Sequence, residues 1–224
     1  MSGSWELGSQ KSVLVGILHV ETVTIAWAFG LRNLIVPSPH PFPFIPLTGM
    51  PYDMARNKGV MTALDAGASH LMWLDSDTIP PRDAILRLLS HNKAIVSGIY
   101  YRRSPPHGVP VMLKGGSWYV NYPKHGLFDV DYVGAGCMLL DLKFMKEMPP
   151  IDPKIGRHWF SWRVDQASVL PPGEALSEDF SFCQFARTKM GEKIWVDPAV
   201  QCRHAGYAQA IQGAMLPLDH NPAT

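Results

Sequence analysis

The sequence predicts an α/β fold: a mixed, mostly parallel, Rossmann-like sheet flanked by helices, with a small antiparallel part on its C-terminal side. Three observations carry this. From residue 12 to residue 100, short apolar runs alternate with helix-length segments in the order strand, helix, strand, helix, strand. One run, Leu71-Met72-Trp73-Leu74, stops at Asp75 and Asp77 with Pro80-Pro81 behind them, as a buried strand does on reaching a ligand-facing edge of an open sheet. After Arg102 the pattern changes to short β-rich runs around Gly115-Gly116, a hairpin signal.

Composition sets the outer bounds. A chain of 224 residues suits one well-cored domain over 1–224, with halves at about 11–101 and 102–204 and a tail at 205–224. Apolar residues at 46% and charged ones at 17% exclude a disordered protein. Twenty basic against nineteen acidic side chains leave a net charge of +1, so the total gives no indication of nucleic-acid binding. Cys137, Cys183 and Cys202 are an odd number without a C-x-x-C pair or a Cys/His signature, so neither a disulfide framework nor a catalytic thiol is expected. Met1 to Gln10 lacks the apolar core of a secretory signal, and no apolar run approaches the roughly 18 residues of a membrane span. The expectation is a cytoplasmic protein with no transmembrane segment.

The elements follow in order. Ser12 to Val20 is the first strand and Thr22 to Leu31 a helix, with Thr22 and Thr24 competing to cap it. Asn33 to Val36 reads as a second strand, and the prolines between Pro37 and Pro51 as a loop. Asp53 caps a helix through Ala66 whose inward stripe is Met54, Val60, Met61 and Leu64, which leaves Arg56 and Asn57 in its first turn. After the 71–77 strand come a helix from Pro81 to about His91, with Ile85, Leu86, Leu88 and Leu89 inward, and a buried strand over Ala94 to Tyr100. Val109 to Lys114, Ser117 to Tyr122 and Phe128 to Val133 are strands, then Cys137 to Leu142, and Lys143 to Glu147 is a short helix. Ile151 to Gly173 is a long loop carrying Trp159, Phe160 and Trp162. Ser177 caps a helix that ends at Gly191, and Ile194 to Cys202 is the last strand, with an edge or bulge at Pro198.

Each polar group admits two readings. Asp75 and Asp77 are either a strand end capping a turn or a pair that meets a hard cation, since acids two apart in a strand point the same way. Ser177-Glu178-Asp179 is either a capped helix start, where acids gain about 0.3–1 kcal/mol from the dipole, or the seat of a general base. His204 is a polar loop or core residue, or it joins Asp77 on a metal; imidazole would favour Mn2+ over Mg2+. Gly134-Ala135-Gly136 is a tight turn near a ligand, because Leu139 stands where a dinucleotide fingerprint has its third glycine. Trp159 and Trp162 either stack on a sugar or anchor the loop, and Arg56 and Arg102-Arg103 either meet phosphates or are solvated.

Taken together, a first strand ending at His19/Glu21, Asp53-x-x-Arg56-Asn57, Leu74-Asp75-Ser76-Asp77, Gly134-Ala135-Gly136-Cys137, Ser177-Glu178-Asp179-Phe180 and His204 resemble a GT-A nucleotide-sugar glycosyltransferase of the small, family-2-like kind. The resemblance runs in order along nearly the whole chain. It implies a hexosyltransferase-type enzyme that moves a sugar from a UDP- or GDP-linked donor to a glycan or other hydroxyl acceptor with inversion. It further implies Mn2+ (or Mg2+) held by Asp77 and His204, and donor contacts from His19, Glu21, Arg56, Asp75, Ser76, Gly134, Ala135 and Gly136. Asp179 would be the base, and Glu178, Trp159 and Trp162 would lie on the acceptor side. A downstream Q/R-x-x-R-W element is absent, which argues against a processive synthase. Three alternatives share some of these features: a retaining enzyme of the same fold, a sugar-phosphate nucleotidyltransferase, and a non-catalytic carbohydrate-binding protein. The nucleotidyltransferase would need a Gly-rich basic loop after the first strand, where this chain has His19-Val20-Glu21-Thr22.

Overall fold

Successive side chains on a strand face opposite sides of its sheet, and β3, His70–Asp75, uses that alternation fully. Leu71 and Trp73 enter one core layer; Met72 and Leu74 enter the other. The structure is a computed structural model and describes residues 11–19, 22–102, 108–151, 156, 158–162 and 176–204. β3 lies inside a seven-stranded sheet of order β2-β1-β3-β10-β5-β11-β8. Its members are β1 (Val13–Leu18), β2 (Phe44–Leu47), β5 (Ile95–Ile99), β8 (Phe128–Val130), β10 (Cys137–Asp141) and β11 (Ile194–Gln201). β1 pairs in parallel with β2 and β3, and β5 with β11, while β10 runs antiparallel between β3 and β5 and β8 antiparallel to β11. Five of the seven strands therefore share one direction, as the sequence predicts.

Helices cover both faces. On one side, α2 (Tyr52–Asp65), α4 (Leu142–Glu147) and α5 (Glu178–Met190) close the layer containing Trp73. On the other, α1 (Ile25–Asn33) and α3 (Ala84–Ser90) contribute Trp27 and Ile85, Leu88 and Leu89. A small antiparallel sheet of order β7-β6-β9 joins β6 (Met112–Lys114), β7 (Ser117–Trp118) and β9 (Tyr132–Val133). Its hairpin turns at Gly115 and Gly116, whose φ of 61° and 76° is the left-handed pair a two-residue turn of this twist needs. Finally, β4 (Thr78–Ile79) pairs antiparallel with β12 (Arg203–His204).

The structure corrects several sequence expectations. The second strand is Phe44–Leu47, inside the proline run, and not 33–36. As the edge of the sheet, β2 loses no ladder bond to the missing N–H of Pro46, and His19 N–H still reaches Leu47 O at 3.1 Å. The run 128–133 divides between two sheets at Asp131, whose N–H leaves for Leu113 O. Thr24 caps α1, accepting from Trp27 N–H at 3.2 Å. Pro51, not Asp53, is the N-cap of α2. The register of β11 shifts between Val196 and Gln201, around Pro198. Most of the 151–173 loop and all of 205–224 fall outside the described residues.

The largest correction concerns α2. Met54 and Met61 are exposed, and the helix buries Ala55, Arg56, Asn57, Gly59, Val60 and Ala63. The reason is Trp73, fully buried beneath it. A Cβ on Gly59 would come within 2.3 Å of Trp73 Cη2, and one on Gly16 of β1 within 2.3 Å of Trp73 Cζ3, so both neighbours must be glycine. Asn57 is also committed: its Oδ1 accepts from the N–H groups of Trp159 and Phe160 at 2.8 and 3.0 Å, and its Nδ2 donates to Phe160 O at 2.8 Å. Phe160 in turn packs edge-on against Trp73 and stacks on Phe182 of α5.

Replacing a helix-interior glycine by alanine ordinarily gains about 0.5–1 kcal/mol. Gly59→Ala is expected to reverse that sign and lose about 1–3 kcal/mol by overpacking, read as a lower urea midpoint with unchanged slope.

Candidate functional site

The site gathers at the C-terminal edge of the parallel strands. Asp75 ends β3, and by strand parity its side chain falls on the Trp73 side, below α2 and the start of α5. The strand stops there. Ser76 and Asp77 form the turn into β4, so the two acids are not strand neighbours on one face; the last ladder bonds run from Asp75 N–H to Gly136 O (3.1 Å) and Ser76 N–H to Leu18 O (3.2 Å). The β4–β12 pairing then sets the His204 backbone opposite Thr78, the residue after Asp77. Trp27 of α1 braces the strand end from the other side, donating its indole N–H to Asp75 O at 3.0 Å.

Arg56, 3% exposed, enters from α2. Its Nε donates to Glu178 Oε1 at 3.1 Å and its Nη2 to Asp75 Oδ1 at 3.3 Å, while Nη1 is buried without a hydrogen-bond partner. Asp179 is held by its neighbours: Oδ2 accepts from Ala135 N–H at 3.1 Å, and Oδ1 from Phe180 N–H at 2.8 Å and from the Ser177 hydroxyl. The Tyr100 hydroxyl, just beyond β5, accepts from Gly136 N–H at 3.1 Å. Gly134 and Gly136 are required by this close passage: a Cβ on Gly134 would sit 1.9 Å from Tyr100 Oη, and one on Gly136 3.0 Å from Asp75 Oδ2.

Charge dominates the cluster, where Asp75, Glu178 and Asp179 act on the guanidinium of Arg56 and Asp77 acts on Asp75. Burial pushes the Asp75 carboxyl up, Arg56 opposes this, and Asp77 and Asp179 add to the rise. Burial, and then Asp179, push Glu178 up to about 7 against the pull of Arg56. Burial by itself would lower Arg56, but Asp75, Glu178 and Asp179 outweigh it and hold the guanidinium firmly charged. The Tyr100 phenol is raised well above its ordinary value by burial and by Asp75 and Asp179, so it remains protonated. So many acids around one cation are the electrostatic demand that a divalent ion meets. Among the described residues, no three His, Cys, Asp or Glu side chains form a metal-holding group by themselves. The imidazole of His204, which the sequence assigns beside Asp77, lies outside the described atoms.

The remaining sequence-assigned residues separate clearly. His19 stands at the end of β1, half-buried, and Glu21 lies outside the described residues. Ser76, Gly134, Ala135 and Gly136 all line this edge. Glu178 is buried, 5% exposed, with its carboxylate turned to Arg56. Trp159 is 3% exposed and donates its indole N–H to Met148 O at 3.1 Å, so of its two readings the anchoring one describes its place; Trp162, at 49%, keeps an exposed ring. Sequence reasoning missed Tyr100, although it follows β5 as Asp75 closes β3, and that equivalence was a usable signal. It also missed Trp118, which packs 6.2 Å from Phe180 beside Asp179 and lies under the Arg102 guanidinium at 4.5 Å.

The sequence matches no protein-family model and no curated protein. Its structure does find counterparts. The protein A197 from STIV has a TM-score of 0.58 at 14% identity, over 86% of this chain and 85% of that one. GalNAc-T7, solved with UDP, GalNAc and Mn2+, has a TM-score of 0.54 at 10% identity, over 88% of this chain. The fold is GT-A-like. At such identities the likeness is one of fold, and this chain spans 44% of the GalNAc-T7 chain. Among the described residues of this GT-A-like chain, no helix is long and apolar enough to cross a membrane.

Because Glu178 binds its proton more tightly folded than unfolded, its contribution to stability is complete below about pH 4.5 and is lost as pH rises through about 7. The expected loss is at most about 3 kcal/mol. Thermal midpoints measured from pH 4.5 to 8 should fall for the wild type and flatten in Glu178→Gln.

Proposed function

We propose that the protein is a metal-dependent glycosyltransferase that transfers a sugar from a nucleoside-diphosphate sugar to a hydroxyl acceptor with inversion. The observation that supports this most is the fixed relation between two carboxylates: Asp179 is anchored by Ala135 N–H, and Asp75 bonds the carbonyl of the next residue, Gly136, through its own N–H. A base and a donor-side acid are thus registered on one turn of backbone.

In this reading Asp77 and His204 would hold Mn2+ or Mg2+, which would supply positive charge opposite a departing diphosphate. Asp75 accepts hydrogen bonds from the ribose, and the end of β1 at His19 borders the nucleotide. Ser76 and the 134–136 backbone face the donor. Asp179 receives the acceptor hydroxyl proton as that oxygen bonds to the anomeric carbon; the bond from that carbon to the diphosphate oxygen breaks, and its electron pair leaves with the nucleotide. Attack opposite the leaving group inverts the centre. The exposed ring of Trp162 suits an acceptor glycan. UDP or GDP as the carrier and a glycan as acceptor follow from the same reading, with the UDP- and GalNAc-bound neighbour in support.

A panel of UDP- and GDP-sugars incubated with and without Mn2+ is expected to show metal-stimulated hydrolysis of one donor; none cleaved under either condition would count against the proposal. Asp179→Asn should retain nucleotide binding and lose about 10²–10⁴-fold in transfer. Asp77→Ala should abolish the Mn2+-dependent part of nucleotide affinity in calorimetry, and unchanged affinity would remove Asp77 from the metal site.

A further inference from the structure

The hydrogen bonds of the site form a closed ring. Arg56 joins Glu178 to Asp75 through two different nitrogens. Asp75 N–H joins Gly136 O, Ala135 N–H joins Asp179, and Asp179 follows Glu178 in α5. Only the Arg56 link is made by a side chain long enough to span from a third element, α2. A planar guanidinium offers separate edges to two acids, which a lysine ammonium on a flexible stem does not. The guanidinium is also locked from behind, since its carbon stands 5.3 Å from the centroid of the fully buried Trp73 ring. Because both of its bonded nitrogens point at protein carboxylates, its geometry is that of a brace and not of an open nucleotide contact.

We propose that Arg56 is a positioning residue that fixes the general base relative to the donor-side acid and offsets the negative charge of Glu178 and Asp75 at Asp179. This rests on the glycosyltransferase reading for its kinetic consequences but not for the ring itself. The groups facing Asp179 are Arg56 from α2, Asp75 from β3, Glu178 and Cys183 from α5, and Tyr100 beyond β5. Of these Arg56 is the cation, so its removal leaves Asp179 among acids. Removing the Glu178 charge as well should relieve part of that crowding.

The test compares wild type, Arg56→Met, Arg56→Lys and Arg56→Met/Glu178→Gln. For turnover of the donor identified above, the acid limb of kcat against pH is expected to move up by about one unit in Arg56→Met, to move less in Arg56→Lys, which keeps the charge but not the two-edged contact, and to return towards wild type in the double variant. Calorimetric affinity for the nucleotide with Mn2+ should change by less than about threefold, about half in free energy of the 1.4 kcal/mol that a tenfold change represents. An unmoved limb, a double variant no better than the single, or a loss confined to nucleotide affinity would each overturn the proposal. Thermal midpoints from pH 5 to 8 separate this from failure of the enzymatic reading: Arg56→Met should lose progressively more stability as pH rises, and the added Glu178→Gln should reduce that slope, leaving the share of Asp75, whether or not any donor is turned over. A pH-independent loss would overturn the ring.

Discussion

The packing of one indole governs this site. Trp73 lies flat enough between Gly16 of the sheet and Gly59 of α2 that neither can carry a Cβ, and this contact fixes how closely α2 approaches the sheet. Arg56 lies three residues before Gly59, on the same helical face, so it is drawn under the helix together with the glycine. Phe160 against Trp73, and Phe182 against Phe160, carry the same packing into α5. The start of that helix, with Glu178 and Asp179, is therefore located by an aromatic stack and not by its acids.

Once packing has placed a guanidinium out of water, electrostatics leaves little choice of partner. A buried charge is tolerated only when paired and hydrogen-bonded. Asp75 and Glu178 satisfy two of the Arg56 nitrogens, and the carboxylates they bring exceed what one arginine neutralises. The surplus is negative charge of the kind that a divalent cation offsets. The same crowding keeps the Tyr100 phenol protonated, and its oxygen accepts from Gly136 N–H, holding the 134–136 turn against Asp75.

Much of this was legible because the signals were local. The four apolar residues before Asp75 marked β3, the Gly115-Gly116 pair marked the β6–β7 hairpin, and Ser177 and Gly191 bounded α5. What was not legible depended on distant partners. β2 forms among prolines because β1 offers it an edge position, a fact outside the local sequence. In α2 the methionines looked inward by periodicity, yet Trp73 demanded small residues and the 159–160 backbone demanded Asn57. Arg56 and Glu178 each resemble a solvated charge in isolation, and only their pairing across the fold explains their burial. Asp75 and Asp77 were recognisable as a pair, but their geometry was not, because strand parity ceases where the turn into β4 begins.

The reversed strand β10 has a consequence for the order in which the molecule assembles. It separates β1–β2–β3 from β5–β11–β8, and neither group touches the other in the sheet except through it. Joining β3 to β5 must therefore wait for a strand made later, and closure of the sheet is a long-range event of the kind that slows folding. Nor could residues 11–101 be excised as a stable fragment, since β3 and β5, both buried in the full sheet, would each be left with an open edge. The same step also assembles the cluster: the turn that bonds the Asp179 carboxylate and the Asp75 backbone leads directly into β10, so the two residues are brought into register as the sheet is completed.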